Sequence, residues 1–272
     1  MITLHGFGPF FGTPDSSPFV IKVMMLLKLA DVAYRHVRGN PFTAPRRLLP
    51  YLRDEDVTVA DSTLIRLHLE KKYHLDFDAG LSAEQKATAW AVERMCEDHL
   101  YFAMLDMRWV DEANFNEGLG RHMFGPVPAP VRSMVKSMLR RMNARRLHGH
   151  GIGRHARSDI AELAIRDVEA LATILGGKPF LMGEKPCAAD AFVFGIVTSI
   201  LTPPLNSPIR EAMQRHANLV AYCDRMTRQY FAGSPSAKAA GANDTASRPV
   251  AVVDTPHRPQ QENAPIRREG RV

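Results

Sequence analysis

The spacing of apolar residues changes near residue 76, and this change divides the chain into parts that must fold differently. Residues 1–76 alternate runs typical of strands with runs at helical spacing, in the order β-α-β-β-β-α. Residues 77–232 show almost only helical periodicity, whereas residues 233–272 are rich in Ala, Pro, Ser and Gly without periodicity. The sequence therefore predicts a small α/β domain over 1–76, an all-helical domain over 80–232 and a disordered tail over 233–272.

Composition excludes several classes of protein. Of the 272 residues, 45% are hydrophobic and 24% are charged, which is ordinary for a globular protein. No apolar run approaches the ~20 residues of a membrane helix, and the N-terminus lacks the features of a signal peptide. Three widely spaced cysteines argue against a disulfide framework. We therefore expect a cytoplasmic protein that does not span a membrane.

The net charge of +6 is concentrated in one segment. Residues 118–158 contain no Asp or Glu but hold nine Lys or Arg residues and four histidines. Such a segment could contact phosphates of nucleic acid, or it could form a solvated helix face. No nucleic-acid-binding motif accompanies it, so we favour the second interpretation and do not expect nucleic-acid binding. His148, His150 and His155 lack acidic or thiolate partners, so we expect no metal site.

Two helix starts in the N-terminal part carry polar residues. Ser17 precedes Pro18 at the start of an apolar helical run, where Ser is a common N-cap and Pro fits the first turn. Asp61 and Ser62 open the next helical run, with Ser62 as the predicted N-cap. Taken singly, each feature indicates capping only.

A proline also stands between two predicted strands, in Leu49-Pro50. Taken alone, it indicates a trans proline that begins a strand. A cis bond is the alternative, and it would expose the backbone of Leu49 to an extended peptide.

In this order and spacing, the three features resemble the thioredoxin-like N-terminal domain of the glutathione S-transferase superfamily. That domain has the order β-α-β-α-β-β-α and is followed by an all-helical domain. FLMGEKPCAADAFVFG (180–195) is similar to the superfamily's Phe-Leu-x-Gly-x-x-Pro-(Ser/Thr)-x-x-Asp helix start, with Asp190 as the capping aspartate and Cys187 replacing the hydroxyl. SPFVIKVMMLLKLADVAYRHVRGNP and GIGRH (151–155) look like the branch related to failed axon connections and metaxins.

The resemblance implies that glutathione, γ-Glu-Cys-Gly, is the co-substrate. The backbone of Leu49, before a cis Pro50, would pair with its cysteinyl unit. Asp61 and Ser62 would hold the γ-glutamyl amino and carboxylate groups. Ser17 would face the sulfur and stabilise its thiolate, since a helix N-terminus and one donated hydrogen bond both favour the anion.

Alternatives to Ser17 remain open at this stage. Ser16 takes the role if the loop register differs by one, and Thr13 is a third candidate. The loop from Gly8 to Ser17 is longer than in most catalytic members of the superfamily. Where the family often has Lys or Gln two residues before the cis-proline, this chain has Leu48, although Arg46 and Arg47 are adjacent and could substitute.

The second substrate would be a small hydrophobic electrophile bound between the domains. Ordinary helix packing is the alternative interpretation for the residues expected to line its site, which are Tyr101, Phe102, Met104, Leu105 and Arg108. Arg154 and His155 could reach an anionic ligand, but no mechanism follows for them.

Two functions follow from the resemblance. The favoured one is a serine-type glutathione transferase, and the alternative is a non-catalytic binding or adaptor protein with the same fold. A homodimer is compatible with either function, because members of the superfamily commonly form two-fold dimers.

Overall fold

A mixed five-stranded sheet forms the N-terminal part of the protein. The computed structural model describes residues 1–122, 124, 127–232 and 252–254. The strand order is β4-β3-β1-β2-β5; β1 is parallel to β2, while β3 is antiparallel to both β1 and β4. The strands are β1 (Ile2–Gly6), β2 (Tyr34–Arg38), β3 (Tyr51–Asp54), β4 (Val57–Ala60) and β5 (Val252–Asp254).

Two helices complete this α/β unit and confirm the predicted thioredoxin-like class. Helix α1 (Pro18–Leu29) follows β1, and α2 (Ser62–Tyr73) follows β4. The second helix of the β-α-β-α-β-β-α order is reduced to a three-residue 3₁₀ turn before β3. Arg46 and Arg47 have φ of 59° and 55° there, and this left-handed backbone cannot continue an α-helix.

Strand β5 lies within the predicted disordered tail. It pairs antiparallel with β2, with Asp254 opposite Tyr34 and Val252 opposite His36. At these three residues the structure has a strand where the sequence predicts disorder, because the apolar pair Val252-Val253 finds the open edge of β2. The rest of the tail lies outside the described residues.

Helices form the remainder of the described chain up to residue 232. The capping box predicted at Ser82 and Gln85 is present and starts α3. Here α3 runs without interruption through a π-helical turn, α4 and a second π-helical turn, so that residues 83–110 form one long helix. Its segments are α3 (Ala83–Met95), the first π-turn (Cys96–Leu100), α4 (Tyr101–Leu105) and the second π-turn (Asp106–Val110).

Seven further helices follow the long helix in the described residues. They are α5 (Glu112–Glu117), α6 (Leu119–His122), α7 (Ala129–His150), α8 (Arg157–Leu175), α9 (Ala188–Leu201), α10 (Pro208–Arg215) and α11 (Ala217–Phe231). The run FVFGIVTSIL belongs to α9, which is buried along nearly its whole length. Within the described ranges, no helix is both long and apolar enough to cross a membrane.

The two parts of the chain share one hydrophobic core because α1 packs against α9. Gly195 on α9 makes this approach close. A Cβ atom at this position would lie 2.6 Å from the backbone oxygen of Pro18, so a side chain would push the helices apart. The start of α1 is therefore held against the helical part.

The long loop between β1 and α1 forms a second connection between the two parts. Its tip turns through Phe11 and Gly12, which have φ of 43° and 82°, and Phe10 and Thr13 exchange backbone hydrogen bonds of 3.3 and 2.8 Å. Phe10 is then buried in a separate apolar cluster, together with Phe115, Leu119 and Phe124. The extra length of the loop thus packs against the helical part.

The capping aspartate predicted before α9 is present and completely buried. The Asp190 carboxylate accepts hydrogen bonds from the backbone N–H groups of Leu181 (3.0 Å) and Cys187 (2.9 Å). The hydroxyl of Tyr222 on α11 donates a third, at 2.9 Å. Asp190 therefore joins three segments of the helical part.

We predict that Asp190→Ala lowers the free energy of unfolding by about 3 kcal/mol, because it leaves buried donors without acceptors. Urea denaturation monitored by circular dichroism measures the change. Asp224→Ala, at an exposed position on α11, serves as the control and should change the stability by about 0.5 kcal/mol or less. Equal midpoints for the two variants would contradict the structural role of Asp190.

Candidate functional site

A cleft of about 620 Å³ lies between the α/β part and the helical part. Five of the six residues predicted for the site line this cleft, and the sixth, Ser16, does not. The five are Ser17, Leu49, Pro50, Asp61 and Ser62. Its volume falls within the range of about 300–1,000 Å³ usual for small-molecule sites.

Ser17 is the N-cap of α1, but its hydroxyl does not cap the helix. Its backbone is extended, with φ of −106° and ψ of 124°, and the side chain makes no capping hydrogen bond. No other hydrogen bond of this hydroxyl occurs within the part of the chain that the structure describes. The hydroxyl therefore stands at the positive end of α1, on the wall of the cleft, with its hydrogen-bonding capacity unused.

Asp15 organises the loop that places Ser17. Its buried carboxylate accepts hydrogen bonds from the backbone N–H groups of Phe7 (2.9 Å), Gly8 (2.7 Å) and Ser17 (2.9 Å). His36 Nε2 lies 3.2 Å from the same carboxylate. The sequence indicated only that Asp15 is close to the helix start, whereas the structure makes it the centre of the loop.

The two alternatives to Ser17 are occupied in other ways. The hydroxyl of Thr13 is completely buried and donates to the backbone oxygens of Phe10 (2.6 Å) and Asp15 (2.8 Å). The backbone oxygen of Ser16 accepts a hydrogen bond from Arg108, 3.0 Å away. Among the three candidates, the geometry favours Ser17.

The start of α2 differs from the prediction in one respect. Asp61, rather than Ser62, is the N-cap, and its Oδ1 accepts from the N–H groups of Thr63 (2.8 Å) and Leu64 (3.2 Å). Ser62 is the first helical residue and is buried. The longer carboxylate reaches the first-turn donors from one position earlier, which leaves Ser62 facing the cleft.

The Leu49-Pro50 bond is cis, as the resemblance implies and contrary to the trans form favoured by this dipeptide alone. Leu49 makes no backbone hydrogen bond to any described residue, so its N–H and C=O are available at the edge of the cleft. The exposed Leu48 and the arginines Arg46 and Arg47 line the same edge.

The wall formed by the helical part is aromatic and basic. Tyr101 and Phe102 of the long helix line it together with Arg146 of α7, whose guanidinium lies 5.8 and 5.4 Å from the two ring centroids. Burial raises the pKa of Tyr101, although its hydrogen bond with Arg146 acts in the opposite direction. Tyr101 is therefore a hydroxyl donor at neutral pH.

The other residues predicted for the electrophile site do not line the cleft. Met104 and Leu105 belong to the core, and Arg108 is buried behind the loop that carries Ser16. Helix packing, the alternative interpretation, is correct for these residues because the long helix turns only one face to the cleft.

The basic segment 118–158 is largely engaged by the protein itself. Arg140 donates to the backbone oxygens of Trp109 and Val110, and Arg157 forms an ion pair with Asp111 at 3.0 Å. Arg154, for which the sequence offered no mechanism, donates to the backbone oxygen of His148 at the end of α7. Only Arg146 of this segment lines the cleft.

A buried ionic cluster that the sequence did not reveal lies behind the cleft. Lys22 of α1 is fully buried, and its Nζ lies 2.6 Å from Glu93 Oε1, 2.7 Å from Glu97 Oε1 and 3.0 Å from Thr63 Oγ1. Arg94 binds the other oxygen of Glu97 at 2.5 Å. Burial raises the pKa of Glu97, whereas Lys22 and Arg94 oppose the rise. The cluster joins α1, α2 and the long helix.

A thioredoxin-like domain, joined to an all-helical domain across a cleft with an N-cap serine and a cis-proline, defines the glutathione S-transferase class. Comparison of the sequence with protein families agrees. Residues 18–114 match the glutathione S-transferase N-terminal domain, and residues 164–226 match the glutathione S-transferase C-terminal domain. The chain belongs to the glutathione S-transferase family.

The relatives of the chain fall into two groups. Isoprene-epoxide–glutathione S-transferase of Rhodococcus sp. (strain AD45) is 32% identical over 236 residues, which cover 85% of this chain and 99% of that protein. Failed axon connections of Drosophila melanogaster is 26% identical, over 80% of this chain and 55% of that protein. Human metaxin-2 is 27% identical, over 78% and 81%. The branch suggested by the sequence is therefore confirmed.

Solved structures support the fold. Glutathione S-transferase III in its apo form aligns with a TM-score of 0.57 at 17% identity, covering 90% of this chain and 99% of that one. Human glutathione S-transferase T1-1 aligns with a TM-score of 0.54 at 15% identity, covering 88% and 91%. At this level of identity, the alignments establish the fold alone.

We predict that Lys22→Met destabilises the protein by about 3 kcal/mol, because it leaves Glu93 and Glu97 buried without their shared cation. Chemical denaturation measures the loss. The double variant Lys22→Met/Glu97→Gln should recover part of it, since one of the two stranded charges is removed. Lys71→Met, at an exposed position on α2, is the control. Additive effects of the two substitutions would show that Lys22 and Glu97 are not coupled.

Proposed function

We propose that this protein is a glutathione transferase in which Ser17 stabilises the thiolate of bound glutathione for attack on a small apolar electrophile. One observation carries the proposal: the Ser17 hydroxyl is unused at the N-terminus of α1 and faces the same cleft as Leu49 and Asp61. A serine that only capped the helix would spend this hydroxyl on the backbone of the first turn.

The residues present fit an extended tripeptide with an ammonium group and two carboxylates. The free backbone of Leu49 can pair with the cysteinyl unit, as one strand pairs with another. Oδ2 of Asp61 makes no hydrogen bond within the described ranges and can accept from the ammonium group, while the first turn of α2 suits a carboxylate. Arg46 and Arg47 line the cleft edge and can pair with the glycyl carboxylate.

The chemistry requires only a small change in acidity. A free thiol has a pKa of ~8.5 and is mostly protonated at neutral pH. The positive end of α1 and a hydrogen bond from Ser17 both favour the thiolate. The thiol releases its proton to solvent and the sulfur attacks an electrophilic carbon. A carbon–sulfur bond forms there as the bond from that carbon to its leaving group breaks.

We propose an epoxide as the class of electrophile. The relative from Rhodococcus is named for an isoprene epoxide, and Phe19, Tyr101 and Phe102 give this cleft apolar surface for a small hydrocarbon. An epoxide opens when sulfur binds carbon and the ring oxygen takes up a proton, so no oxidant or reductant is needed. The hydroxyl of Tyr101, which stays protonated at neutral pH, can donate to that oxygen.

We predict that Ser17→Ala lowers kcat/KM for glutathione conjugation about 30-fold, the equivalent of one charge-assisted hydrogen bond of about 2 kcal/mol. The apparent pKa of the bound thiol should rise. Ser16→Ala is the matched control because its side chain does not line the cleft, and it should keep wild-type activity. Full activity of Ser17→Ala would remove Ser17 from the mechanism. Wild-type protein that fails to bind glutathione in calorimetry would overturn the proposed function itself.

We predict that Tyr101→Phe lowers kcat for an epoxide about tenfold, because the ring oxygen loses a hydrogen-bond donor. The KM for glutathione should not change. An alkyl halide, whose leaving halide takes up no proton, provides the control reaction and should be consumed at the wild-type rate. An equal loss with both substrates would assign Tyr101 to packing instead.

A non-catalytic binding role is the alternative, and a specific surface favours it. Three methionines four residues apart on α7 are strongly exposed, Met134 at 67%, Met138 at 53% and Met142 at 50%, with Arg141 exposed among them. Met-rich surfaces can adapt to several partners. Two of the relatives, failed axon connections and metaxin-2, are not named as transferases. Glutathione turnover by the purified protein would decide for the enzyme, and absence of glutathione binding would decide for the alternative.

A further inference from the structure

Arg108, in the second π-turn of the long helix, is a buried cation without a counter-charge. The residue is 3% exposed, and within the described ranges no carboxylate lies within 4 Å of its guanidinium. Its Nη groups donate to the backbone oxygens of Ser16 (3.0 Å) and Ser199 (2.5 Å). Its Nε is buried and has no acceptor.

An uncompensated buried charge is unfavourable, so its position calls for an explanation. Burial lowers the pKa of Arg108 to about 10, which still leaves the guanidinium protonated at neutral pH. Backbone oxygens and the ring of Phe10, whose centroid is 5.7 Å away, solvate the charge in part. An anion formed nearby would stabilise it further.

The nearest place for an anion is the mouth of α1. Arg108 binds the carbonyl of Ser16, one residue before the unused hydroxyl of Ser17. We propose that Arg108 is a positioning residue: it fixes the loop that carries Ser17 and supplies the positive potential against which the thiolate of bound glutathione forms. This inference rests on the proposed function and adds to it a residue that does not touch the substrate.

Other charged groups surround the same place and act in both directions. On the loop side, Asp15 is negative, but three backbone N–H groups and the nearby His36 compensate its charge. The remaining charged residues line the cleft farther along its walls, and they are Arg46, Arg47, Asp61, Arg94, Glu97, Asp98 and Arg146. Unlike Arg108, none of these donates to the loop that carries Ser17.

A purely structural role for Arg108 predicts a different result, and the choice of variants separates the two. Arg108→Gln removes the charge but keeps an N–H donor for a backbone oxygen. Arg108→Lys keeps the charge on a different donor. Arg140→Gln is the matched control, because Arg140 also donates to two backbone oxygens near the second π-turn but does not line the cleft.

The test titrates the ultraviolet absorbance of the thiolate of glutathione bound to the full chain, with thermal unfolding followed in parallel. Wild type should give a thiol pKa below that of free glutathione. Arg108→Gln should raise it by about one unit, a tenfold smaller ratio of thiolate to thiol. Arg108→Lys should restore most of the shift, and Arg140→Gln should match wild type.

Each outcome decides the proposal. An unchanged thiol pKa in Arg108→Gln, even with lower thermal stability, would overturn it and leave Arg108 as a structural residue. So would an equal rise in Arg108→Gln and Arg108→Lys. Should Arg108→Gln fail to fold, Arg108→Met and Arg108→Lys give the same comparison of neutral and charged side chains. Absence of glutathione binding by wild type would reject the proposed function separately, before any variant is measured.

Discussion

The packing of α1 determines where the cleft forms and what lies behind it. The helix is buried between the sheet and α9, so its N-terminus must open where the two parts of the chain meet. Gly195 lets α9 approach the backbone of Pro18 closely, and Asp15 fixes the loop that leads into the helix. A hydroxyl at the helix start is thereby held at the junction of both domains without serving as a cap.

Two buried cations flank this helix start, and they differ in how they are compensated. Lys22 lies among carboxylates from the long helix and has a negative counter-charge. Arg108 has only carbonyl oxygens and an aromatic ring. Because an unpaired charge is the costlier of the two to bury, the difference separates a cation that stabilises the domain interface from one whose electric field remains available to a ligand.

The sequence predicted the parts of this structure that depend on local pattern. The change of periodicity predicted the fold class, and the helix starts at Ser17 and Asp61 were readable from their residue types. The partners of Lys22 could not be predicted, because Glu97 lies 75 residues away on a helix whose charged residues look solvated. A lone lysine in an apolar helical run was the available signal. Likewise, strand β5 depends on a distant sheet edge, which no local pattern encodes.

The two π-turns give the long helix a property that substitutions alone cannot test. Each turn accommodates one residue more than an α-helix does, so its removal would rotate everything beyond it by about 100°. The first turn contains Glu97 and the second contains Arg108, so the register of the helix sets the directions of both side chains. A one-residue deletion in either turn should leave a well-formed helix with a rebuilt cleft. Insertions and deletions inside this helix, usually dismissed as alignment errors, are therefore a route by which relatives can diverge in chemistry.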